Sequence, residues 1–243
     1  MVFDWGFQAG IGAFETIAVY NKKPLFLTEH LKRLNDTLIF FDIQKTVTPD
    51  IVLDYIEKTK QTNYALKIMV SEKNTVIKQR VNHYLKSPLY AEGAKLKYTS
   101  VLRNESSPLT YYKTLAYSQN LLEKQRATKE GIFDFIFCNT KGFLAEGSVC
   151  NIFFIKKGQI FTPSVQSGIL PGIVRAYVIS QYEVREVSIL KEVAEDADEC
   201  FITNSLMGIM PVKVLEKKVF SQREQTDLIM KEYEAMKKIQ TLD

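Results

Sequence analysis

Residues 103–112 (RNESSPLTYY) interrupt the apolar patterning of this chain near its middle. The stretch is polar and carries a proline, so it is the best place for a boundary between two packing units. A length of 243 residues suits one large domain or two small ones. We therefore expect an N-terminal lobe over 1–105 and a C-terminal lobe over 106–243, both α+β. No internal repeat, low-complexity tract or Gly/Ser linker interrupts either.

In the first lobe, residues 13–20 (AFETIAVY) alternate as a strand. They lead through Asn21-Lys22-Lys23 into a short strand at 24–27, which predicts a hairpin. Thr28 is placed to cap a helix over 29–41, with Leu31, Leu34, Leu38 and Phe41 on one face. Thr48-Pro49 opens a second helix whose apolar face is Ile51, Val52, Tyr55 and Ile56. Strands are expected near 64–71, 75–84 and 95–102. Beyond the break, 114–128 reads as a helix. Strands follow at 132–138, 149–155, 159–162, 184–190 and 199–203. A helix opens after Gly172, and an amphipathic helix closes the chain at 222–240.

Composition removes several function classes. The longest apolar runs, such as Leu38-Ile39-Phe40-Phe41, are core-sized and far short of the roughly 18–20 residues of a membrane span. The start MVFDWGFQAG shows neither the basic stretch nor the apolar stretch of a signal peptide. Cys138, Cys150 and Cys200 are scattered without a CxxC pair, which favours reduced thiols and a cytoplasmic location. Double lysines at 22–23, 156–157, 217–218 and 237–238 are dispersed, so the net charge of +4 points to no nucleic acid. His30 and His83 are the only imidazoles, which argues against a multi-histidine metal site. No GxSxG elbow is present either. Proton chemistry in an enzyme of this composition falls to Lys, Tyr, carboxylates or a cofactor.

Three stretches carry chemistry. In SGILPGIVR (167–175), a glycine before a helix start offers the N–H groups of Ile173 and Val174, which suits a phosphate as well as it suits an ordinary capped helix. Lys113, in YYKTLAYSQN, stands among apolar and aromatic neighbours. It reads either as a solvated lysine or as a partly desolvated amine able to bond a carbonyl carbon. Glu146, in LAEGSVCNIFFI, sits at a strand rim before a glycine that permits close backbone approach.

Together these stretches match a family. YKTLAYSQN, FLAEGSVCNIFF, TPSVQSGILPGIVR and ADECFITNSLMGIMPV, in that order, closely resemble the class IV pyridoxal-phosphate enzymes. These include branched-chain and D-amino acid aminotransferases and 4-amino-4-deoxychorismate lyases. DWGFQAGIGAFET and EHLKRL extend the resemblance over nearly the whole chain. It implies the two-lobed fold type IV of the D-amino acid aminotransferases, with pyridoxal 5'-phosphate in the crevice between the lobes, and a homodimer. By the same resemblance Lys113 bonds the cofactor and moves protons, and Glu146 faces the pyridine nitrogen. Arg33, Ile173, Val174, Asn204 and Ser205 serve the phosphate, and Tyr117 the ring hydroxyl. Thr16, in FET, is a candidate pocket hydroxyl near the lysine. Arg80 and His83 (RVNHY), expected on one strand, are candidates for a substrate carboxylate.

The departures fall mostly around the substrate pocket. Val174 stands where Thr is frequent, Trp5 where Arg is usual, and Ile11 where an acid is. Gln8-Ala9-Gly10 replaces an aromatic residue before glycine. The chain begins almost at this motif, so either the protein is compact or its N-terminus is clipped. KTL-x-Y, EGSV-x-NIFF and NSLMGIMPV look most like the lyases. The Gly-Gly insertion and the Gly-Thr-Ala loop of the branched-chain enzymes are absent. The resemblance thus implies conversion of 4-amino-4-deoxychorismate to p-aminobenzoate and pyruvate, with an amino acid aminotransferase as the alternative.

Overall fold

The computed structural model describes residues 2–242. The chain divides into two compact units that interleave in sequence rather than parting at 105/106. One holds residues 1–85, 112–117 and 234–243, the other residues 86–111 and 118–233.

The first unit contains α1 (Trp5–Ala9), β1 (Ala13–Tyr20), β2 (Lys23–Pro24), α2 (Leu27–Phe40), α3 (Pro49–Glu57), β3 (Tyr64–Val70) and β4 (Thr75–Arg80). Its sheet is antiparallel in the order β2-β1-β3-β4. The β1–β2 hairpin turns on Asn21 and Lys22, both at positive φ (48° and 61°), the twist that two-residue hairpins need. The return strand is only two residues long, because Phe26 adopts a left-handed conformation and starts α2 at Leu27. Thr28 therefore lies inside the first turn and does not cap it. The α3 helix starts at Pro49, as the Thr-Pro pair predicts. A helix unforeseen in the sequence, α1, is capped by Asp4. The Asp4 carboxylate accepts the Phe7 N–H (3.2 Å), the Ser71 hydroxyl (2.6 Å) and the Lys73 N–H (2.9 Å), clipping α1 to the β3–β4 turn.

Period-two alternation sorts β1 into two faces. Ala13, Ile17 and Val19 pack with Leu31, Leu34 and Leu38 of α2, Val52 and Ile56 of α3, and Leu66, Ile68 and Val70 of β3. Glu15 shares this inward face and is fully buried. A lone carboxylate there would be costly. The His30 Nδ1–H donates to Glu15 Oε2 at 2.7 Å, while Arg33 donates from Nε (2.6 Å) and Nη2 (2.9 Å). Burial pushes the Glu15 carboxyl up, but Arg33 and then His30 outweigh it and hold it below the ordinary carboxylate range. Burial pushes His30 the other way, below its ordinary 6.5, so its imidazole stays neutral at pH 7.

The second unit contains α4 (Leu89–Glu92), β5 (Ala94–Arg103), α5 (Ser118–Lys129), β6 (Asp134–Asn139), β7 (Leu144–Gly147), β8 (Asn151–Lys156) and β9 (Gln159–Pro163). It continues with α6 (Ile173–Gln181), β10 (Val184–Val187), α7 (Lys191–Glu195), β11 (Glu199–Asn204), β12 (Gly208–Leu215), β13 (Lys218–Val219) and α8 (Glu224–Thr241). The last turns of α8, from Glu234, belong to the first unit. The nine-stranded sheet runs β10-β9-β8-β11-β12-β5-β6-β7, with β13 paired to β12. Pairs β9/β10, β5/β12 and β5/β6 are parallel and the others antiparallel.

This order forces the sheet to curl. In a flat sheet β7 and β8 would lie about 24 Å apart, five strand spacings of ~4.8 Å. The link between them runs only from Gly147 to Asn151, a reach of about 14 Å. The Gly147 N–H closes the turn onto the Cys150 carbonyl at 2.7 Å. The helix expected over 114–128 begins only at Ser118. The strand expected over 75–84 stops at Arg80, and the one over 184–190 at Val187.

Both Glu15 and His30 have folded-state pKa values below their unfolded ones, so the unfolded chain takes up protons first as pH falls. Their stabilisation is complete above about pH 6.5 and is lost on acidification, first through His30 and then, below 4.5, through Glu15. Glu15→Gln, which strands Arg33, is expected to cost about 3 kcal/mol in urea unfolding at pH 7 and to flatten the loss below pH 4.5. A variant as stable as wild type at pH 7 would contradict the buried pairing.

Candidate active site

Lys113 lies on an extended stretch, not in the helix that its neighbours suggest. The Phe14 N–H donates to the Lys113 carbonyl at 3.0 Å, and Thr114 bridges Ala13 in antiparallel fashion. Two glycines let this stretch lie against the start of β1. A Cβ at Gly10 (φ 69°) would stand 2.9 Å from the backbone of Ala116. One at Gly12 would stand 2.4 Å from the Val70 carbonyl oxygen and 2.7 Å from the Leu115 side chain. The Gly-x-Gly of the sequence thus clears a path for the lysine segment.

The Lys113 ammonium is 4.4 Å from the centroid of the Phe14 ring and 5.3 Å from that of Tyr117. The Tyr117 ring meets Phe14 edge-on at 5.0 Å. Lys113 and Tyr117 are therefore brought together around the Phe14 ring, which the sequence does not single out. Thr16 shares the Phe14 face of β1 and stands opposite Lys67 of β3. Arg33 is on the other side of that strand, its guanidinium plane fixed by Glu15. Arg80 ends β4 as an exposed residue opposite Ala65. His83 is off the strand, in an exposed turn, so the two candidates for one carboxylate do not share a strand face.

In the second unit Glu146 is buried in β7. The Arg103 Nη2 approaches its Oε1 at 3.4 Å. Its Oε2 accepts the Asn151 side-chain amide (3.2 Å) and the Leu170 N–H (3.1 Å). Arg103 is itself held by the Asn120 Oδ1 (3.3 Å) and stacks over Phe137 at 4.1 Å. Asn120 in turn donates to the Ser148 carbonyl at 2.8 Å. The turn after Glu146 is built by the buried Asp134, whose carboxylate accepts the Ser148 hydroxyl (2.5 Å), the Val149 N–H (3.1 Å) and the Cys150 thiol (3.4 Å). Gly147 is required here, since a Cβ would stand 2.5 Å from the Cys150 Sγ. Sequence reading missed Arg103 and Asp134. Each is an ordinary charged residue until the fold buries it.

Asn151 also ties this carboxylate to the start of α6: it donates to the Leu170 carbonyl, and Gly172 packs against its Oδ1. Gly172 is the N-cap of α6 without a side-chain cap, and the first N–H bonded within the helix is that of Ala176, to Gly172. The N–H groups of Ile173 and Val174 thus form an uncapped, dipole-positive terminus. Across the β8–β11 pair from Asn151 stands Thr203, whose buried hydroxyl has no hydrogen-bond partner among the described residues. The Asn204 side chain builds the turn, accepting the Leu206 and Met207 N–H groups (both 2.9 Å) and donating to the Val149 carbonyl. Ser205 follows it, half-buried. Among the described residues no group of three or more His, Cys, Asp or Glu side chains is placed to hold a metal ion. No helix there is long and apolar enough to cross a membrane.

The pattern of amino-transferase class IV matches residues 12–215. The chain belongs to the class IV aminotransferase family. Within this family, an aminodeoxychorismate lyase of Bacillus subtilis is 30% identical over 242 residues, covering 88% of this chain and 81% of that one. A Methanocaldococcus jannaschii protein provisionally named a branched-chain-amino-acid aminotransferase is 28% identical over 264 residues, covering 99% and 91%. A Legionella pneumophila structure provisionally assigned as a 4-amino-4-deoxychorismate lyase superposes with a TM-score of 0.86 at 27% identity, covering 95% and 92%. The class IV fold is thus shared by relatives named for two different reactions, elimination and transamination.

Removing Arg103 takes away the guanidinium that faces the buried Glu146 Oε1. Arg103→Met is expected to cost about 3 kcal/mol in urea unfolding, and the double variant Arg103→Met/Glu146→Gln to recover most of it. Strictly additive losses would show that the two side chains are not coupled.

Proposed function

We propose that the chain binds pyridoxal 5'-phosphate and converts 4-amino-4-deoxychorismate to p-aminobenzoate and pyruvate, a step toward folate. The observation that carries this reading is the likeness to the Bacillus subtilis aminodeoxychorismate lyase along most of both chains. A lysine, a carboxylate and an anion cup serve transamination equally well, so they support the cofactor and not the choice of reaction.

Each unit, taken by itself, carries donors that suit the cofactor. Lys113 offers a primary amine to its aldehyde. The uncapped terminus of α6, the partnerless Thr203 hydroxyl and Ser205 suit a phosphate. Arg33, oriented by Glu15, adds a planar guanidinium. Tyr117 would serve the ring hydroxyl. Glu146, with two N–H groups on Oε2 and Arg103 facing Oε1, would accept the pyridine N–H. When bound, the cofactor supplies a sink for the electron pair left by breaking a C–H bond beside the substrate nitrogen.

In this reading the Nζ of Lys113, as a free amine, would take the proton from the amine-bearing carbon of the substrate. Glu146 would hold the proton on the ring nitrogen. Thr16, on the Phe14 face of β1, orients the substrate. Pyruvate leaves as the ring aromatises. The enzyme acts as a cytoplasmic homodimer on a small anionic substrate. The Methanocaldococcus relative favours a second reading, an amino acid aminotransferase, which requires a second half-reaction with an oxo acid.

Chromatography after adding 4-amino-4-deoxychorismate to cofactor-loaded protein is expected to show p-aminobenzoate and pyruvate in equal amounts. Lys113→Ala is expected to lower this turnover by about 10²–10⁴-fold. Amino-group exchange between amino and oxo acids, without any aromatic product, would overturn the lyase reading in favour of the aminotransferase.

A further inference from the structure

A second carboxylate is buried close to Glu146. Asp134 opens β6 and is fully shielded from water. Four donors converge on it, all of them neutral. Its Oδ1 accepts the Ser148 hydroxyl (2.5 Å) and the Phe135 N–H (2.8 Å), and its Oδ2 accepts the Val149 N–H (3.1 Å) and the Cys150 thiol (3.4 Å). Three of these four donors belong to the turn that leaves Glu146. The packing is close as well, since a Cβ on Gly147 would stand 2.8 Å from the Asp134 Oδ2. A carboxylate held by neutral donors alone is costly to bury. An asparagine of the same shape would turn its NH₂ toward a donor, so the position calls for a group that only accepts. What that group grips is the backbone on the C-terminal side of Glu146.

The grip reaches Glu146 by two routes. Gly147 joins them directly, and its N–H is tied to the Cys150 carbonyl at 2.7 Å, which closes the turn that Asp134 holds. The other route runs through side chains. The Ser148 carbonyl accepts the Asn120 amide (2.8 Å), the Asn120 Oδ1 accepts Arg103 (3.3 Å), and the Arg103 Nη2 faces the Glu146 Oε1 at 3.4 Å. We propose that Asp134 is a positioning residue that acts through Glu146: by fixing the 148–150 turn it sets where the Glu146 oxygens lie, and so how firmly the cofactor's ring nitrogen keeps its proton. The attraction between a carboxylate and a protonated nitrogen falls as they separate, so a loosened Glu146 holds that proton less well. The proposal rests on the reading of Glu146 as the carboxylate facing the ring nitrogen, and it deepens that reading.

Pyridoxal 5'-phosphate labelled with 15N in its ring reports this proton by NMR, apart from any turnover. In cofactor-loaded Glu146→Gln the pH midpoint at which the nitrogen loses its proton is expected to fall by about 1–3 pH units from wild type, the effect of one close opposite charge. Asp134→Asn, with Glu146 intact but loosened, is expected to lower the midpoint by about one pH unit. Ser148→Ala removes one of the four donors and is expected to lower it by less. Urea unfolding at each pH confines the comparison to folded protein. A merely structural Asp134 would reduce stability and leave the nitrogen titrating as in wild type. That result in Asp134→Asn, or in Ser148→Ala where Asp134→Asn does not fold, would overturn the proposal and leave Glu146 in its role. An unchanged midpoint in Glu146→Gln would instead remove Glu146 from the ring nitrogen, and this proposal with it.

Discussion

Glu146 is buried inside the second unit, where Arg103 faces one of its oxygens and two N–H groups hold the other. Much of that unit is arranged to keep this so. Arg103 is positioned by Asn120 and Phe137, Asn120 by the carbonyl of Ser148, and Ser148 by Asp134. Asn151 links the same carboxylate to the segment that opens α6. A buried carboxylate and an uncapped helix terminus, both costly in isolation, are thus held by one set of hydrogen bonds. In the proposed reading the Glu146 carboxylate serves a ring nitrogen and the positive end of α6 a phosphate.

The first unit solves a different problem with one strand. Alternation along β1 sends Glu15 inward to His30 and Arg33, and sends Phe14 and Thr16 to the opposite face. A buried ion network and an aromatic face are therefore separated by the thickness of one sheet. Phe14 does two things there: it packs against Tyr117 and gives Lys113 and Lys67 a common apolar support. Gly10 and Gly12 matter because they leave room for the lysine segment to reach that ring.

Much of this was legible from sequence. Pro49 after Thr48, the glycine before Ile173 and the amphipathic end of the chain mark helices whose local signals agree with their packing. The ordered motifs around Lys113 and Glu146 pointed to the class IV family. Tertiary pairing hid the rest. Residues 114–117 have helical neighbours, but Thr114 pairs with Ala13, and the helix waits until Ser118. The β12 strand carries Pro211, which masks it as a strand. Arg103 and Asp134 were invisible because a charged residue shows its role only when its surroundings are known.

In the proposed function Lys113 is the amine that bonds the cofactor, whereas Lys67 lies over the same Phe14 ring. Borohydride reduction of the cofactor-loaded protein, followed by peptide mapping, tests that division directly. A single phosphopyridoxyl group on the peptide containing Lys113 is the predicted result. The same label on Lys67, or on no lysine of the first unit, would contradict it.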